Sequence, residues 1–248
     1  MWSLFRRGIW ALGDALLDFV YPAHCALCGA VLGDGEHVVC ERCWGKVQII
    51  EGPHCRRCGY PVETTVIGCD HCAGKTFRFE GARVLSAFDE TVQALIHLLK
   101  YKGKRSVGRR LGWMLGEVLV SEDDMGDVDW VMPVPLHRSR EKERGYNQSL
   151  LLATEIGRCL GVGVQKKMLI RTRRTASQTE LSAEERVKNV SGAFRVSHDE
   201  EIAGMRILLV DDVLTTGATL NACAETLIEA GADEVRVATV ACPFRIAE

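Results

Sequence analysis

The stretch Arg206-Ile-Leu-Leu-Val-Asp-Asp-Val-Leu-Thr-Thr-Gly-Ala-Thr-Leu220 constrains the fold more than any other part of this 248-residue chain. Ile207 to Val210 is an unbroken apolar run, the pattern of a strand covered on both faces in a parallel sheet. Asp211 and Asp212 follow at once, then a turn of small hydroxyl residues and glycine, then a helical pattern from Ala218 to Ala230. A strand that ends in acids and turns through Thr215-Thr216-Gly217 into a helix makes a phosphate-binding loop. The first amides of a helix lack intrahelical acceptors and carry partial positive charge, so they hold a phosphate without lysine. Thr215, Thr216 and Thr219 add hydroxyl donors, and Gly217 lets the backbone come close. Asp211 and Asp212, at the carboxyl end of the strand, can accept hydrogen bonds from sugar hydroxyls. A capping threonine in an ordinary strand-turn-helix would account for the turn. It would not account for two adjacent acids after a buried strand.

This segment resembles the fingerprint of the type I phosphoribosyltransferases. The resemblance implies an α/β fold, a parallel sheet flanked by helices, with a site for phosphoribosyl pyrophosphate (PRPP) and its magnesium. It also implies that Asp211 and Asp212 are the catalytic acids, set on the ribose hydroxyls. The loop Val213, Leu214, Thr215, Thr216, Gly217, Ala218 and Thr219 would wrap the 5′-phosphate. The chain is long enough for such a core. Its 47% hydrophobic and 26% charged residues exclude wholesale disorder, and a net charge of −2 gives no global nucleic-acid signal.

Ahead of that domain lies a cysteine module. Eight of the 11 cysteines form four Cys-x-x-Cys pairs, Cys25/Cys28, Cys40/Cys43, Cys55/Cys58 and Cys69/Cys72. That usage points to metal rather than disulfides, and so to a reducing cytoplasm. A Cys-x-x-Cys hairpin presents two thiolates to one ion, and two hairpins complete a tetrahedral site. The intervals 29–39, 44–54 and 59–68 hold 11, 11 and 10 residues. Such near-constant spacing predicts two zinc ribbons in tandem, although the spacing alone also accommodates interleaved pairing. Two structural zinc ions per chain are expected, in an N-terminal double zinc ribbon over residues 21–76. His24, His37, His54 and His71 lie near the pairs, but eight cysteines already fill two sites. In residues 1–20, Phe5, Ile9, Leu12, Leu16 and Phe19 have helical spacing, which predicts an amphipathic helix. It is too short and too charged to span a bilayer, and it lacks a cleavage site after its arginines.

Residues 77–248 carry the phosphoribosyltransferase-like pattern. Strand character at Val84 to Phe88 is followed by helical patterns over Thr91 to Leu99 and Val107 to Val120, with Lys100 to Arg110 basic between them. Glu122 to Asp129 reads as a solvated acidic linker. A strand over Asp129 to Val134 leads into Pro135-Leu-His-Arg-Ser-Arg-Glu-Lys-Glu-Arg-Gly-Tyr-Asn-Gln148, basic for a connection between strand and helix. In a doubly wound sheet, loops leaving strand carboxyl ends surround the ligand. Pro135, His137, Arg140 and Arg144 are therefore candidates for the pyrophosphate of PRPP, in a loop facing the one after Val210. The helix Gln148 to Leu160 follows. Arg171 to Gly192 reads as a mobile basic loop ending in a Ser182/Glu185 capping box. Phe194 and Val196 resume a strand, and Val235 to Ala241 forms the last one. Trp44, Trp113 and Trp130 are the aromatic candidates for base stacking, though core packing is the commoner role for such residues.

Four features then coincide. They are the cysteine module, Leu99-Lys-Tyr-Lys-Gly103, and Pro133-Val-Pro-Leu-His137 with Arg144-Gly-Tyr-Asn-Gln148. The last is Arg174-Thr-x-x-Gln178-x-x-Leu181 with Arg186, Asn189 and Ala193-Phe194, leading into the Asp-Asp-Val-x-Thr-Thr-Gly-x-Thr loop. Together they resemble the ComF family, double-zinc-ribbon proteins with a phosphoribosyltransferase-type domain. The resemblance implies a cytoplasmic role in natural transformation, with single-stranded DNA and DNA-import proteins as partners. Two functions follow: a phosphoribosyltransferase acting on PRPP, or a scaffold that uses the same loop to bind nucleotide or DNA phosphates without turnover.

Overall fold

A computed structural model describes residues 22–122, 125–174, 182–197 and 201–244. The helix expected over residues 1–20, together with Gln178 and Leu181, lies outside them. The chain divides into two compact units, Met1–Val47 and Gln48–Glu248. The first cysteine set of the expected double ribbon belongs to the first unit and the second set to the other.

In the first unit, the knuckle at Cys25 closes through Cys25 N donating to Ala30 O (2.7 Å) and Gly29 N donating to Cys25 O (2.9 Å). Its second knuckle runs into the helical turn α1 (Glu41–Trp44).

The second unit is built on a five-stranded parallel sheet in the order β1-β7-β6-β2-β3. The strands are β1 (Gly81–Ala87), β2 (Trp130–Pro133), β3 (Gly163–Val164), β6 (Arg206–Val213) and β7 (Glu234–Cys242). Ile207 to Val210 of β6 are fully buried, as an unbroken apolar run in a central strand requires. Helices α2 (Glu90–Tyr101), α3 (Arg105–Val120), α5 (Gln148–Leu160) and α7 (Ala218–Glu229) supply the layers around it. Asp89 caps α2 by accepting from Val92 N (2.8 Å), and Asn147 caps α5 by accepting from Ser149 N (3.0 Å). Helices α3 and α5 approach closely because α3 is glycine-lined: a Cβ on Gly112 would stand 2.9 Å from Leu152 Cα.

Because β2 and β6 are parallel neighbours, their carboxyl ends emerge side by side. Val134 N donates to Val210 O (2.9 Å), which fixes the level at which the two following segments leave the sheet. Within this unit, residues beside and inside the second cysteine set pair with β1: Ala82 N donates to Arg56 O (3.0 Å) and Ile50 N to Leu85 O (2.8 Å).

Two segments differ from their sequence reading, and a third has a partner that the reading did not name. Arg138–Arg144, read as part of a loop, is the short helix α4, capped by His137 at its start and by Gly145 (φ 79°) at its end. Phe194–Val196 (β5) pairs antiparallel with Leu169–Arg171 (β4) in a separate ribbon, after helix α6 (Ala183–Val190) with its Ser182/Glu185 capping box. The acidic stretch after α3 is structural where described. Glu122 accepts from Arg83, a side chain 5% exposed, and Asp127 and Asp129 both pair with Arg206. Long-range arginine partners, invisible locally, turn an apparent linker into a clasp. No helix among the described residues is long and apolar enough to cross a membrane.

Candidate functional site

The end of β6 opens into a cleft of about 280 Å³, near the low end of small-molecule sites at roughly 300 Å³. Asp211, Asp212, Val213, Thr215, Gly217, Ala218 and Thr219 line it, together with Pro135, Arg140 and Arg144 from the segment after β2. Three candidates are placed differently: Thr216 lies outside the cleft lining, Leu214 is buried in the apolar core, and His137 turns its ring to α4, where Nδ1 accepts from Ser139 N (3.3 Å). Residues missed as site residues also line the cleft: Lys100, Gln148, Ser149 and Arg171.

The loop from β6 to α7 is tightly determined. Leu214 N donates to Ala241 O (2.8 Å), anchoring the strand end, and Thr216 Oγ1 accepts from Ala218 N (3.4 Å). Gly217 sits at the helix N-cap with φ 78°, and a Cβ there would lie 2.8 Å from Phe77 Cε1. Only glycine meets both demands. Thr215 and Gly217 before α7, and Ala218 and Thr219 in its first turn, therefore line the cleft, the placement that suits an anion at a helix start.

The acid pair is held by different partners. Asp211 Oδ1 accepts from Ser149 Oγ (2.8 Å), at the start of α5, and from Asp212 N (2.9 Å). Burial and the Asp212 charge push the Asp211 carboxyl up to about 7, against the opposing pull of Lys100 and the Ser149 hydrogen bond. Asp212, 5% exposed at its side chain, lies with Oδ2 2.7 Å from Lys100 Nζ at the end of α2. This is an ion pair at hydrogen-bond distance. Burial disfavours the Lys100 charge, but the Asp212 carboxylate outweighs it and holds the ammonium above its usual range. On the other side Arg144 Nη1 bonds Gln148 Oε1, and its guanidinium stands 5.7 Å from the Tyr101 ring centre. Burial lowers the Arg171 guanidinium, which stands 5.4 Å from the Phe194 ring centre. The cleft thus combines helix-start amides and hydroxyls, two carboxylates and four basic side chains. It can hold a molecule with two anionic groups and hydroxyls between them.

The cysteines gather as two sets, Cys25/Cys28/Cys40/Cys43 and Cys55/Cys58/Cys69/Cys72, each with all sulfurs within 4.8 Å of one another. The tandem arrangement holds. Sulfurs at about 2.3 Å from a tetrahedral zinc are about 3.8 Å apart. Cys28–Cys40 is 3.7 Å, Cys55–Cys72 3.8 Å and Cys58–Cys69 3.7 Å, so both sets fit a structural zinc ion. Of the tryptophans, Trp44 is buried, Trp130 half-buried and Trp113 51% exposed.

Comparison with known proteins matches residues 16–74 to the Double zinc ribbon domain and residues 147–245 to the Phosphoribosyl transferase domain. The DNA utilization protein YhgH of Escherichia coli is 32% identical over 219 residues, covering 87% of this chain and 95% of that protein. Competence protein F of Haemophilus influenzae is 28% identical over 217 residues, covering 86% and 94%. The chain belongs to the ComF family. Competence protein ComFC of Bacillus subtilis, 28% identical over 203 residues, covers 79% of this ComF chain and 80% of its own. Among solved structures, a glutamine PRPP amidotransferase from B. subtilis matches 54% of the ComF chain with 24% identity and a TM-score of 0.38. The match spans 26% of that enzyme. A purine phosphoribosyltransferase from Pyrococcus horikoshii matches 54% of the ComF chain and 73% of its own, at 19% identity and a TM-score of 0.36.

Proposed function

We propose that this ComF protein binds PRPP in the cleft at the end of β6 and acts in the cytoplasm on DNA taken up during natural transformation. The observation that carries the reading is the convergence on one cleft of Asp211 and Asp212, of Thr215, Gly217, Ala218 and Thr219, and of Arg140 and Arg144. In the bound state the amides of the turn hold the 5′-phosphate, the two acids orient the ribose hydroxyls, and the arginines hold the diphosphate. Transfer breaks the bond from the anomeric carbon to the diphosphate oxygen, which leaves with the electron pair, while an acceptor nucleophile bonds to that carbon. Magnesium bound with PRPP would supply positive charge to the diphosphate, beside the arginines Arg140 and Arg144 that line the cleft. A directly coordinated ion does not fit at Asp212 Oδ2, because Lys100 Nζ already stands 2.7 Å away. The competence role rests on the names of relatives matched over most of their length. The cytoplasmic placement rests on two sites that hold metal only as thiolates.

Titration with magnesium PRPP, and release of pyrophosphate in the presence of a panel of bases and amines, tests the proposal. Asp212→Asn weakens PRPP binding at least tenfold if the acids hold the ribose; unchanged affinity would refute the assignment. A second reading, phosphate binding without turnover on single-stranded DNA, is favoured by the exposed run Lys102, Lys104, Arg105 and Arg109 beside exposed Tyr101. It predicts steeply salt-dependent binding of single-stranded DNA that PRPP does not displace.

A further inference from the structure

Lys100 stands out because its placement is unlike that of a surface lysine. Its side chain is 22% exposed, it lines the same cleft as Arg140 and Arg144, and Asp212 Oδ2 lies 2.7 Å from its Nζ. The end of α2 that carries it is held by the turn after α4. Tyr146 Oη donates to Leu99 O, Arg105 Nη2 donates to Gly145 O (3.0 Å), and the Arg105 guanidinium lies 4.7 Å from the Tyr146 ring centre. Arg144, beneath Tyr101, completes the clasp. An ammonium on a pinned helix end is pre-organised, so little side-chain entropy remains to be lost when it meets a ligand. Its position also has a direction. Tyr101, the next residue along α2, has the Arg144 guanidinium 5.7 Å from its ring centre, which places Lys100 on the side of the acid pair where the arginines gather.

We propose that Lys100 is the innermost cation of the diphosphate subsite, held ready by Asp212, and that it lets the site grip a diphosphate without a divalent metal. The inference rests on the phosphoribosyl reading of the cleft. In the ligand-free protein the ammonium neutralises Asp212. When a diphosphate enters, its oxygens take further donors of the same ammonium while Asp212 keeps its hold, since an ammonium carries three N–H groups. The arginines supply flat, two-pronged contacts and Lys100 a compact point charge at the depth of the ribose. The four basic side chains Lys100, Arg140, Arg144 and Arg171 around two carboxylates leave the cleft net positive without any metal.

The test uses the full zinc-loaded chain and two probes, inorganic pyrophosphate and PRPP, each titrated calorimetrically in EDTA and in millimolar magnesium. The wild-type protein is expected to bind both probes in EDTA, with magnesium changing affinity by less than about tenfold. Lys100→Met is expected to lose at least tenfold in EDTA and to recover in part when magnesium is added, and Lys100→Arg to retain most of the affinity. Lys100→Met also leaves Asp212 buried without a counter-charge and weakens the fold. The double variant Lys100→Met/Asp212→Asn removes that strain, so its melting temperature recovers while its pyrophosphate affinity in EDTA does not. Wild-type binding of PRPP in magnesium but of neither probe in EDTA overturns the role of Lys100 and leaves the PRPP reading standing. Equal pyrophosphate affinity for wild type and Lys100→Met in EDTA overturns it as well. No binding of either probe in any condition removes the PRPP reading itself, and the role of Lys100 with it.

Discussion

Replacing Gly217 by alanine separates two demands that meet at one atom. The first is conformational: at φ 78° an L-residue sits in the left-handed region, at a cost of about 1–2 kcal/mol. The second is steric: the new Cβ stands 2.8 Å from Phe77 Cε1, and the ring is stacked on Phe79 at 4.6 Å, so it cannot simply swing away. Overpacking of this kind costs roughly 1–3 kcal/mol. A total near 3 kcal/mol corresponds to about 6–12 °C in melting temperature for a unit of this size. If the turn yields locally instead, the same energy reads out as a loss of about a hundredfold in phosphate or PRPP affinity. Urea unfolding and PRPP calorimetry together capture both routes. Phe77→Leu in the same chain clears the ring edge and leaves the backbone strain. The double variant is therefore expected to regain about 1–2 kcal/mol relative to Gly217→Ala, a non-additive pair. Stability and affinity of Gly217→Ala both within about 0.5 kcal/mol of wild type would refute the reasoning. Simple additivity with Phe77→Leu would refute the steric half.

Elemental analysis is expected to return two zinc ions per chain, and Cys58→Ser one; a single ion in the wild type would break the assignment of two four-sulfur sites. Glu122→Ala strands the buried Arg83 guanidinium and is expected to cost about 3 kcal/mol in urea unfolding. Glu122→Gln, which keeps an acceptor, costs less. The Asp211 carboxyl is raised from 3.8 to about 7, so between these values the folded state binds more protons than the unfolded one. Stability from this group therefore falls as pH rises from about 4 to about 7. Asp211→Asn should flatten that slope, and an unchanged slope in thermal melts would show that the carboxyl is not buried against Asp212.

The parts of the chain that were legible in advance carry their signal locally. Arg206 to Leu220 shows a buried strand, its acids and its turn within one short window, and the same strand, acids and turn appear at the centre of the sheet. The four cysteine pairs were equally direct, since the chemistry is in the spacing. Lys100 was visible only as one of several basic residues, because what distinguishes it is Asp212, far along the chain. Ser149 is a plain serine in a helix start until Asp211 is brought against it. Helix α4 is too short to show periodicity; its boundary signs, His137 before and Gly145 after, are weak beside the run of charges between them. The strand at Phe194 was correctly read as extended, but its partner Leu169–Arg171 is a tertiary choice that alternation cannot name.

The bonds from Arg56 and Ile50 onto β1 carry a consequence for how the protein fails. β1 is the outermost strand on its side of the sheet, and an uncovered outer strand is a template on which other chains can build. Here Ile49, Ile50 and Arg56, flanking and entering the second cysteine set, occupy that rim through Ile50 N to Leu85 O and Ala82 N to Arg56 O. The metal that closes Cys55, Cys58, Cys69 and Cys72 therefore guards solubility at a distance from the ligand cleft. Withdrawing it would bare the rim of β1 first, so metal-starved protein should self-associate while the turn after β6 is still intact.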